Sequence, residues 1–274
     1  MLLSYIVIGI IGLLAGGVMN ALADDLPHYR RPRLPHYPEG SPRPLSAWLG
    51  LTAFVSGQRI APDGSKLSWR YPLAEIGTAL AMLITFAVKQ QKGAEISDLQ
   101  LIFWLVYMAI FVLIVVIDIE HHLILYSVII PSCALAILDA VLTPAQHEPT
   151  LARALWGGAL GFGVFFLLYL GGILYTYIST KLQGRDITEV AFGYGDVMLA
   201  TLSGLMLGLE PLIFAIFITV FLGALGALLY IIGQRLAGRR YSLFTALPYG
   251  PYIVAGTAIM LLFAQEVRFF MAGY

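Results

Sequence analysis

Residues 101–117, LIFWLVYMAIFVLIVVI, form a long apolar run that holds no charged side chain and is followed directly by Asp118. A helix needs about 20 mainly apolar residues to cross a hydrocarbon core about 30 Å thick. The stretch therefore predicts a membrane-spanning helix over residues 100–118.

The composition of the whole chain is that of a membrane protein. Of its 274 residues, 59% are hydrophobic and 12% are charged, whereas soluble domains have roughly 45–50% apolar and about 25% charged residues. The formal net charge is +0, so no overall field attracts nucleic acid and no such partner is expected. The single cysteine, Cys133, can form neither an internal disulfide nor a thiolate metal cluster.

Seven further apolar stretches extend the prediction to about eight transmembrane helices. They cover residues 2–22, 72–90, 123–142, 152–180, 196–209, 211–233 and 248–264. The polar stretch 23–71 carries many prolines in its first half, which forbid a continuous helix there. We therefore expect an all-α polytopic membrane helix bundle in three parts, namely a first helix within residues 1–22, a small cytoplasmic insert at 23–71 and a membrane core at 72–274.

Basic residues mark alternate loops of this predicted bundle. They follow the fifth span at Lys181 and Arg185 and the seventh at Arg235, Arg239 and Arg240. Because basic loops stay in the cytoplasm, both termini are predicted to lie outside and the insert inside. The chain is thus expected to be a multi-pass protein of the inner (cytoplasmic) membrane, in contact with the lipid bilayer.

Two aspartates stand where charge is expensive. Asp118 closes the third predicted span, and Asp196 opens the sixth after the sequence FGYG at 192–195. An ionisable group at a span end is a functional candidate by default, and the predicted topology brings both to the same membrane face. Two carboxylates in a partly dry pocket can hold a single proton between them. The ionised partner can then take a proton from water while the protonated one polarises a peptide carbonyl, which predicts aspartic peptidase chemistry without a metal.

The two glycines before Asp196 have a predicted mechanical role. Gly193 and Gly195 can adopt positive φ angles and allow close backbone approach just before the helix begins. Asp196 would then lie near a helix N-terminus, where free N–H groups favour its charged form.

The residues around both aspartates resemble the type IV prepilin peptidase family of Gly-x-Gly-Asp intramembrane aspartic proteases. IDIEHHLI at 117–124 is similar to the family's first aspartate motif, and FGYGD at 192–196 is similar to its second. Further similar blocks lie at 16–22, 68–75 and 247–252. Beyond the two aspartates, the matching motifs identify these supporting site residues: Gly193, Gly195, Glu120, Arg70, Glu75, Pro248, Gly250 and Pro251.

The resemblance implies a substrate and a chemistry. Asp118 and Asp196 would be the catalytic pair, and the substrate would be a prepilin or pseudopilin whose short basic leader is removed at the cytoplasmic membrane face. The peptidase itself would need no cofactor. Many family members carry two cysteine pairs suited to zinc in the insert, but residues 23–71 hold no cysteine, so zinc is not expected. The second activity of bifunctional members, N-methylation with S-adenosylmethionine, stays open because the missing cysteines do not disprove it.

Structural interpretations compete with these assignments. Asp196 could serve as a helix cap, and Glu120 could be an exposed loop carboxylate. Glu75, inside the second predicted span, could pair with Arg70 or contact the polar insert, which favours a structural role over catalysis.

Three other functions are compatible with the spans alone. A proton-coupled transporter also uses paired intramembrane carboxylates, although it would more often show repeated halves. A presenilin-like protease would carry a tyrosine in the first aspartate motif, where this chain has Ile117. The third is a catalytically idle relative with the peptidase fold.

Overall fold

A computed structural model of the chain describes residues 2–93, 96–143, 149–183, 193–236 and 248–273. Outside the described residues lie three of the basic residues that predict the orientation, namely Arg185, Arg239 and Arg240. The motif residues Phe192 and Leu247 also lie outside them. The described chain is mainly helical. Its α-helices are α1 Leu2–Asp25, α2 Gly50–Val55, α3 Arg70–Lys92, α4 Asp98–His121, α5 Tyr126–Leu142, α6 Leu151–Gln183, α7 Tyr194–Leu207, α8 Leu209–Leu236 and α9 Gly250–Ala272.

Six helices, α1, α3, α4, α6, α8 and α9, are long and apolar enough to span a membrane. Two shorter apolar helices, α5 and α7, complete the predicted number of about eight. The prediction of an all-α polytopic membrane helix bundle is thereby confirmed. The first predicted span ended too early, because the helix continues through Asp25 instead of stopping at residue 22.

The chain forms two compact units, Met1–Val128 and Ile129–Tyr274. The predicted three-part division at residues 22 and 71 stays a prediction. In the first unit, α1 packs closely along α3, because Gly16 has no side chain. A Cβ on Gly16 would lie 2.5 Å from the Cα of Glu75, so only glycine allows the two backbones to approach this closely.

The insert between α1 and α3 has a small core of its own. It consists of Tyr37, Ala47, Ala53, Ala61 and Leu67, packed with Tyr71 at the start of α3. Two isolated antiparallel bridges, His36 to Pro42 and Ile60 to Lys66, fold the loops around this core. Prolines interrupt helix at many positions of residues 27–44, which leaves α2 as the one short α-helix of the insert.

In the second unit, α6 and α7 pack antiparallel at close range. A Cβ on Gly204 would lie 2.1 Å from the carbonyl oxygen of Gly157, and one on Gly161 would lie 2.3 Å from that of Ala200. The rings of Tyr169 on α6 and Tyr194 at the start of α7 meet 5.8 Å apart. Because α6 has 33 residues and α7 has 14, α6 extends well beyond the point where α7 begins.

Substituting Gly161 by alanine tests this helix contact. We expect Gly161→Ala to destabilise the protein by roughly 1–3 kcal/mol, because the added methyl group overpacks a tight interface. The measurement is thermal unfolding of the detergent-solubilised protein. Gly163→Ala is the matched control, since it lies two residues further along the same helix and a Cβ there meets nothing within 4 Å. Equal stability of the two variants would contradict the contact.

Candidate active site

Asp118 lies in the last turn of α4 and is 5% exposed. The helix ends at His122, whose backbone is left-handed with φ 53° and whose N–H donates to the Asp118 carbonyl oxygen at 2.9 Å. A non-glycine residue adopts this conformation only at some energetic cost. The turn therefore fixes where α4 stops and holds the backbone of Asp118 in a defined position.

Glu120 is tied to the start of α3 by an ion pair. Arg70 donates through Nη1 to Glu120 Oε2 at 2.5 Å and through Nη2 to the Asp24 carboxylate. The Arg70 side chain is 13% exposed and that of Glu120 is 33% exposed. Glu120 is exposed, as the structural interpretation expected, but it lies in the last turn of α4 rather than in a loop. Arg70 connects it to the end of α1.

The same network continues into the insert. The Tyr71 hydroxyl lies 3.0 Å from Asp24 Oδ1 and 3.1 Å from Asp24 Oδ2. The guanidinium of Arg43 lies 4.4 Å from the Tyr71 ring centroid and 4.0 Å from Asp24 Oδ2. Burial lowers the pKa of Arg43, which the nearby Tyr71 and Asp24 partly offset. Because arginine remains protonated even so, Arg43 is a permanent cation under this polar cluster.

Glu75 contacts the insert rather than Arg70, so the first of its two predicted partners is wrong and the second is found. The side chain is fully buried. Its Oε1 accepts the N–H of Gly50 at 2.6 Å and its Oε2 accepts the N–H of Leu51 at 2.8 Å. The Nδ2 of Asn20 donates to Oε1 at 3.4 Å. Glu75 thus caps the N-terminus of α2, where free amides and the helix dipole favour a carboxylate.

Asp25, next to Asp24, is held in a separate cluster. It is fully buried and accepts the backbone N–H of Arg33 at 2.8 Å and the Arg33 guanidinium at 2.7 Å. His36 approaches the same carboxylate at 3.7 Å. These contacts fold the beginning of the insert back onto the end of α1.

A polar cavity of about 380 Å³ lies beside the Arg70 network in the first unit. Its walls include Asp24, Glu120, His121, Arg30 and Lys66. The two carboxylates are engaged by Arg70, whereas neither Arg30 nor Lys66 forms an ion pair within the described part of the chain. The cavity therefore has cationic character.

Asp196 occupies the third position of α7 in the second unit, where it is half-buried. Its Oδ2 accepts the N–H of Gly193, the residue before the helix, at 3.1 Å. This contact agrees with the helix-cap interpretation of Asp196.

Gly193 and Gly195 do not use the positive φ angles that glycine allows. Gly193 has φ −80° and ψ 154°, which is extended backbone that any residue can adopt, and Gly195 is not among the positive-φ residues. At Gly193 the physical reason is that the N-cap position of a helix requires extended rather than left-handed backbone. Gly195 already lies inside α7. A positive φ angle occurs instead at the other end of α7, at Gly208 with φ 79° and ψ −178°.

Pro248, Gly250 and Pro251 lie at the start of α9, in the same unit as Asp196. Between them is Tyr249, a half-buried residue that the motif analysis did not single out. Burial, together with the negative charge of Asp196, raises the pKa of Tyr249. The signal for this residue was present in the sequence, because it stands inside the Pro-x-Gly-Pro block at 248–251.

The candidate site residues thus fall into two groups. The first unit contains Asp118, Glu120, Arg70 and Glu75. The second unit contains Asp196, Gly193, Gly195, Pro248, Gly250 and Pro251. Among the described residues, no group of three or more histidine, cysteine, aspartate or glutamate side chains is arranged to hold a metal ion. The fold and these residues define a polytopic membrane protein with aspartates at the ends of two apolar helices.

Comparisons with known proteins find one family that is similar to part of the chain. Residues 105–228, which include both aspartates, match the type IV leader peptidase family. A prepilin leader peptidase/N-methyltransferase of Bacillus subtilis (strain 168) is 27% identical over 207 residues, covering 74% of this chain and 70% of the relative. One from Pseudomonas putida is 26% identical over 229 residues, covering 82% and 67%.

A third relative has a different name. The type 4 prepilin-like proteins leader peptide-processing enzyme of Escherichia coli O78:H11 is 29% identical over 167 residues, covering 60% of this chain and 52% of the relative. No solved structure matches the chain significantly. Residues 105–228 of the chain are thus similar to the type IV leader peptidase family, and the relatives are similar over a larger part of it.

Removing the Glu75 carboxylate tests its contacts with the insert. We expect Glu75→Ala to destabilise the protein by at least about 2 kcal/mol, because the buried amides of Gly50 and Leu51 lose their acceptor at roughly 1–3 kcal/mol each. Local opening should also speed trypsin cleavage after Arg59 and Lys66 in protein held in nanodiscs, as followed by mass spectrometry.

The control for this measurement is Asp63→Ala. Asp63 is an exposed acid of the insert that accepts the N–H of Ser65 at 2.8 Å. Its removal should leave both stability and the trypsin cleavage rate close to wild type. Unchanged cleavage of the Glu75→Ala protein would show that Glu75 does not hold the insert.

Proposed function

We propose that this protein is an aspartic endopeptidase that removes the leader peptide of type IV prepilins or pseudopilins, with Asp118 and Asp196 as its catalytic pair. The observation that carries the proposal is that both aspartates lie at ends of apolar helices inside residues 105–228, the part of the chain that matches the type IV leader peptidase family. The names of the curated relatives, which specify prepilin leader peptide processing, support the choice of substrate.

The proposed reaction needs one water molecule and one shared proton. The ionised aspartate takes a proton from water, and the resulting hydroxide adds to the scissile carbonyl carbon while the protonated aspartate donates a hydrogen bond to the carbonyl oxygen. The tetrahedral intermediate then collapses, the C–N bond breaks and a proton passes to the departing amine. The products are a free carboxyl group on the leader and a free amino terminus on the mature protein.

The surroundings of the two aspartates support different roles. Asp196 lies in the first turn of α7, where the amide groups stabilise a negative charge, and this favours Asp196 as the ionised partner. Asp118 is 5% exposed at the end of α4. In this proposal Asp196 is the base and Asp118 is the acid of the first step.

In this proposal the supporting residues hold the two aspartates in position. Arg70 connects Glu120 with Asp24, so it holds the helix end that carries Asp118. Gly193 donates to Asp196, and Pro248, Gly250 and Pro251 form the turn that begins α9 in the same unit. None of these side chains is proposed to touch the scissile bond.

The proposed location is the inner (cytoplasmic) membrane, with the active site facing the cytoplasm. The basic residues that follow α6 and α8, together with the arginines of the insert, support this orientation through the positive-inside rule. A prepilin would then present its basic leader on the cytoplasmic side while its apolar segment remains in the bilayer. Methylation of the new amino terminus, which the names of some relatives include, does not belong to this proposal.

Conservative replacement of each aspartate tests the catalytic pair. We expect Asp118→Asn or Asp196→Asn each to slow leader removal at least about 100-fold, the usual contribution of a positioned acid or base. The measurement is the intact mass of a co-expressed prepilin, which reports leader loss and any added methyl group together.

The control for this experiment is Asp139→Asn. Asp139 is also a buried carboxylate of an apolar helix, with its Oδ1 accepting from Thr143 at 2.9 Å. It lies 13 residues beyond Tyr126, the first residue of α5, or about 20 Å along the helix. The Asp139→Asn protein should remove the leader at a rate near that of the wild type. Substantial cleavage by folded Asp118→Asn and Asp196→Asn proteins would contradict the proposed mechanism.

A further inference from the structure

An apolar groove runs between α1 and the insert in the first unit. Its volume is about 300 Å³, at the lower end of the roughly 300–1,000 Å³ found for ligand pockets. The wall on α1 includes Leu14, Gly17 and Val18. The wall on the insert includes Arg33, Trp48 and Leu49.

The groove lies at the depth of the membrane span. Leu14 and Val18 belong to the apolar span that begins at Leu2 and are each 55% exposed, so they face lipid. Leu14 lies 11 residues before Asp25, which corresponds to about 16 Å along the helix axis. The insert residues that share the groove with Leu14 and Val18 therefore lie alongside the membrane-spanning part of α1, at the depth of the bilayer. Leu49 does so most directly, because a Cβ on Gly17 would lie 2.5 Å from its Cδ2.

The backbone of the insert is prepared for such a position. Hydrocarbon offers no hydrogen bonds, so backbone amides at membrane depth need acceptors within the protein. The carboxylate of Glu75 accepts the N–H groups of Gly50 and Leu51 at the start of α2. The outer surface of the insert is also apolar in places, since Leu45 is 79% exposed and Val55 is 84% exposed.

The groove has a cationic end and an apolar end. Arg33 lines it and is bound to Asp25 at 2.7 Å, which places its guanidinium level with the last residue of α1. The Arg33 side chain is 42% exposed, and the preceding residues Arg30 and Arg31 are exposed as well. From this end the walls become purely apolar toward Leu14, which is the polarity pattern of a phospholipid.

We propose that the groove binds one acyl chain of an anionic phospholipid from the leaflet on the insert's side of the membrane, with the headgroup beside Arg31 and Arg33. The lipid-facing surface of α1 continues into the groove, so a chain can enter sideways from the bilayer. Part of the predicted cytoplasmic insert is then an interfacial element immersed in lipid. This proposal goes beyond leader cleavage and does not depend on the catalytic assignment.

Tryptophan fluorescence tests the location of Trp48 in the groove. The full-length protein carrying Trp69→Phe, Trp104→Phe and Trp156→Phe keeps Trp48 as its single tryptophan. In nanodiscs with phosphatidylglycerol brominated on its chains, diluted into unbrominated phosphatidylcholine, we expect most of the Trp48 emission to be lost. In the reverse experiment the phosphatidylcholine carries the bromine, at the same mole fraction of brominated lipid, and the phosphatidylglycerol carries none. Here we expect a smaller loss of Trp48 emission.

Two controls make the result specific. A protein that keeps Trp69 alone, a residue 61% exposed at the start of α3, should be quenched more by aqueous iodide and less by bromine than Trp48. Arg31→Gln in the single-Trp48 protein should reduce the preference for phosphatidylglycerol. Trp48 emission that resists brominated chains but falls with iodide would overturn the proposal, and equal quenching by both lipids would overturn its anionic headgroup.

A second measurement needs no tryptophan substitutions. Native mass spectrometry of the wild-type protein released from nanodiscs should show one retained phosphatidylglycerol molecule. Val18→Trp fills the groove and should lose that lipid, whereas Leu3→Trp, at a residue 73% exposed on the same helix outside the groove, should keep it. Retention of the lipid by the Val18→Trp protein, or its absence from the wild type, would contradict the proposed site.

Discussion

The first unit depends on one constraint, which is that polar groups buried at membrane depth must find their partners within the protein. The Glu75 carboxylate meets this constraint for three donors at once, two amides of α2 and the side chain of Asn20. Asn20 also donates to the carbonyl oxygen of Tyr71 at 2.9 Å. Through these bonds α1, the insert and α3 share one polar centre, and an apolar residue at position 75 could not replace it.

A second polar cluster lies nearer the end of the helices and depends on the first for its position. The Tyr71 ring stacks with Arg43 and Arg70 at 4.4 and 4.2 Å, and its hydroxyl contacts Asp24. Arg70 then bridges Asp24 and Glu120. The ends of three helices are thereby joined by charge-assisted hydrogen bonds, which are roughly twice as strong as neutral ones. A rigid frame of this kind suits a candidate catalytic aspartate two residues before Glu120.

The sequence alone predicted the membrane helices well, because bilayer thickness translates directly into the length of an apolar run. It also singled out Asp118 and Asp196, because a carboxylate at a span end is visible without any tertiary information. It could not show that Glu75 caps α2, since that contact joins residues 24 and 25 positions apart. Polarity and proline content indicated an insert at residues 23–71 but not its small core, because that core joins residues as far apart as Tyr37 and Leu67.

The shortness of α7 has a consequence for the surroundings of Asp196. With 14 residues between caps at Gly193 and Gly208, α7 is about 21 Å long, well below the roughly 30 Å of an average hydrocarbon core. Most of its side chains from Val197 to Leu207 are buried within the protein, and α6, with 33 residues, packs along it and continues beyond its first turn. Neighbouring helices, rather than a lipid shell of its own, therefore surround α7. The hydration of the Asp196 carboxylate thus depends on how these helices pack around the first turn of α7.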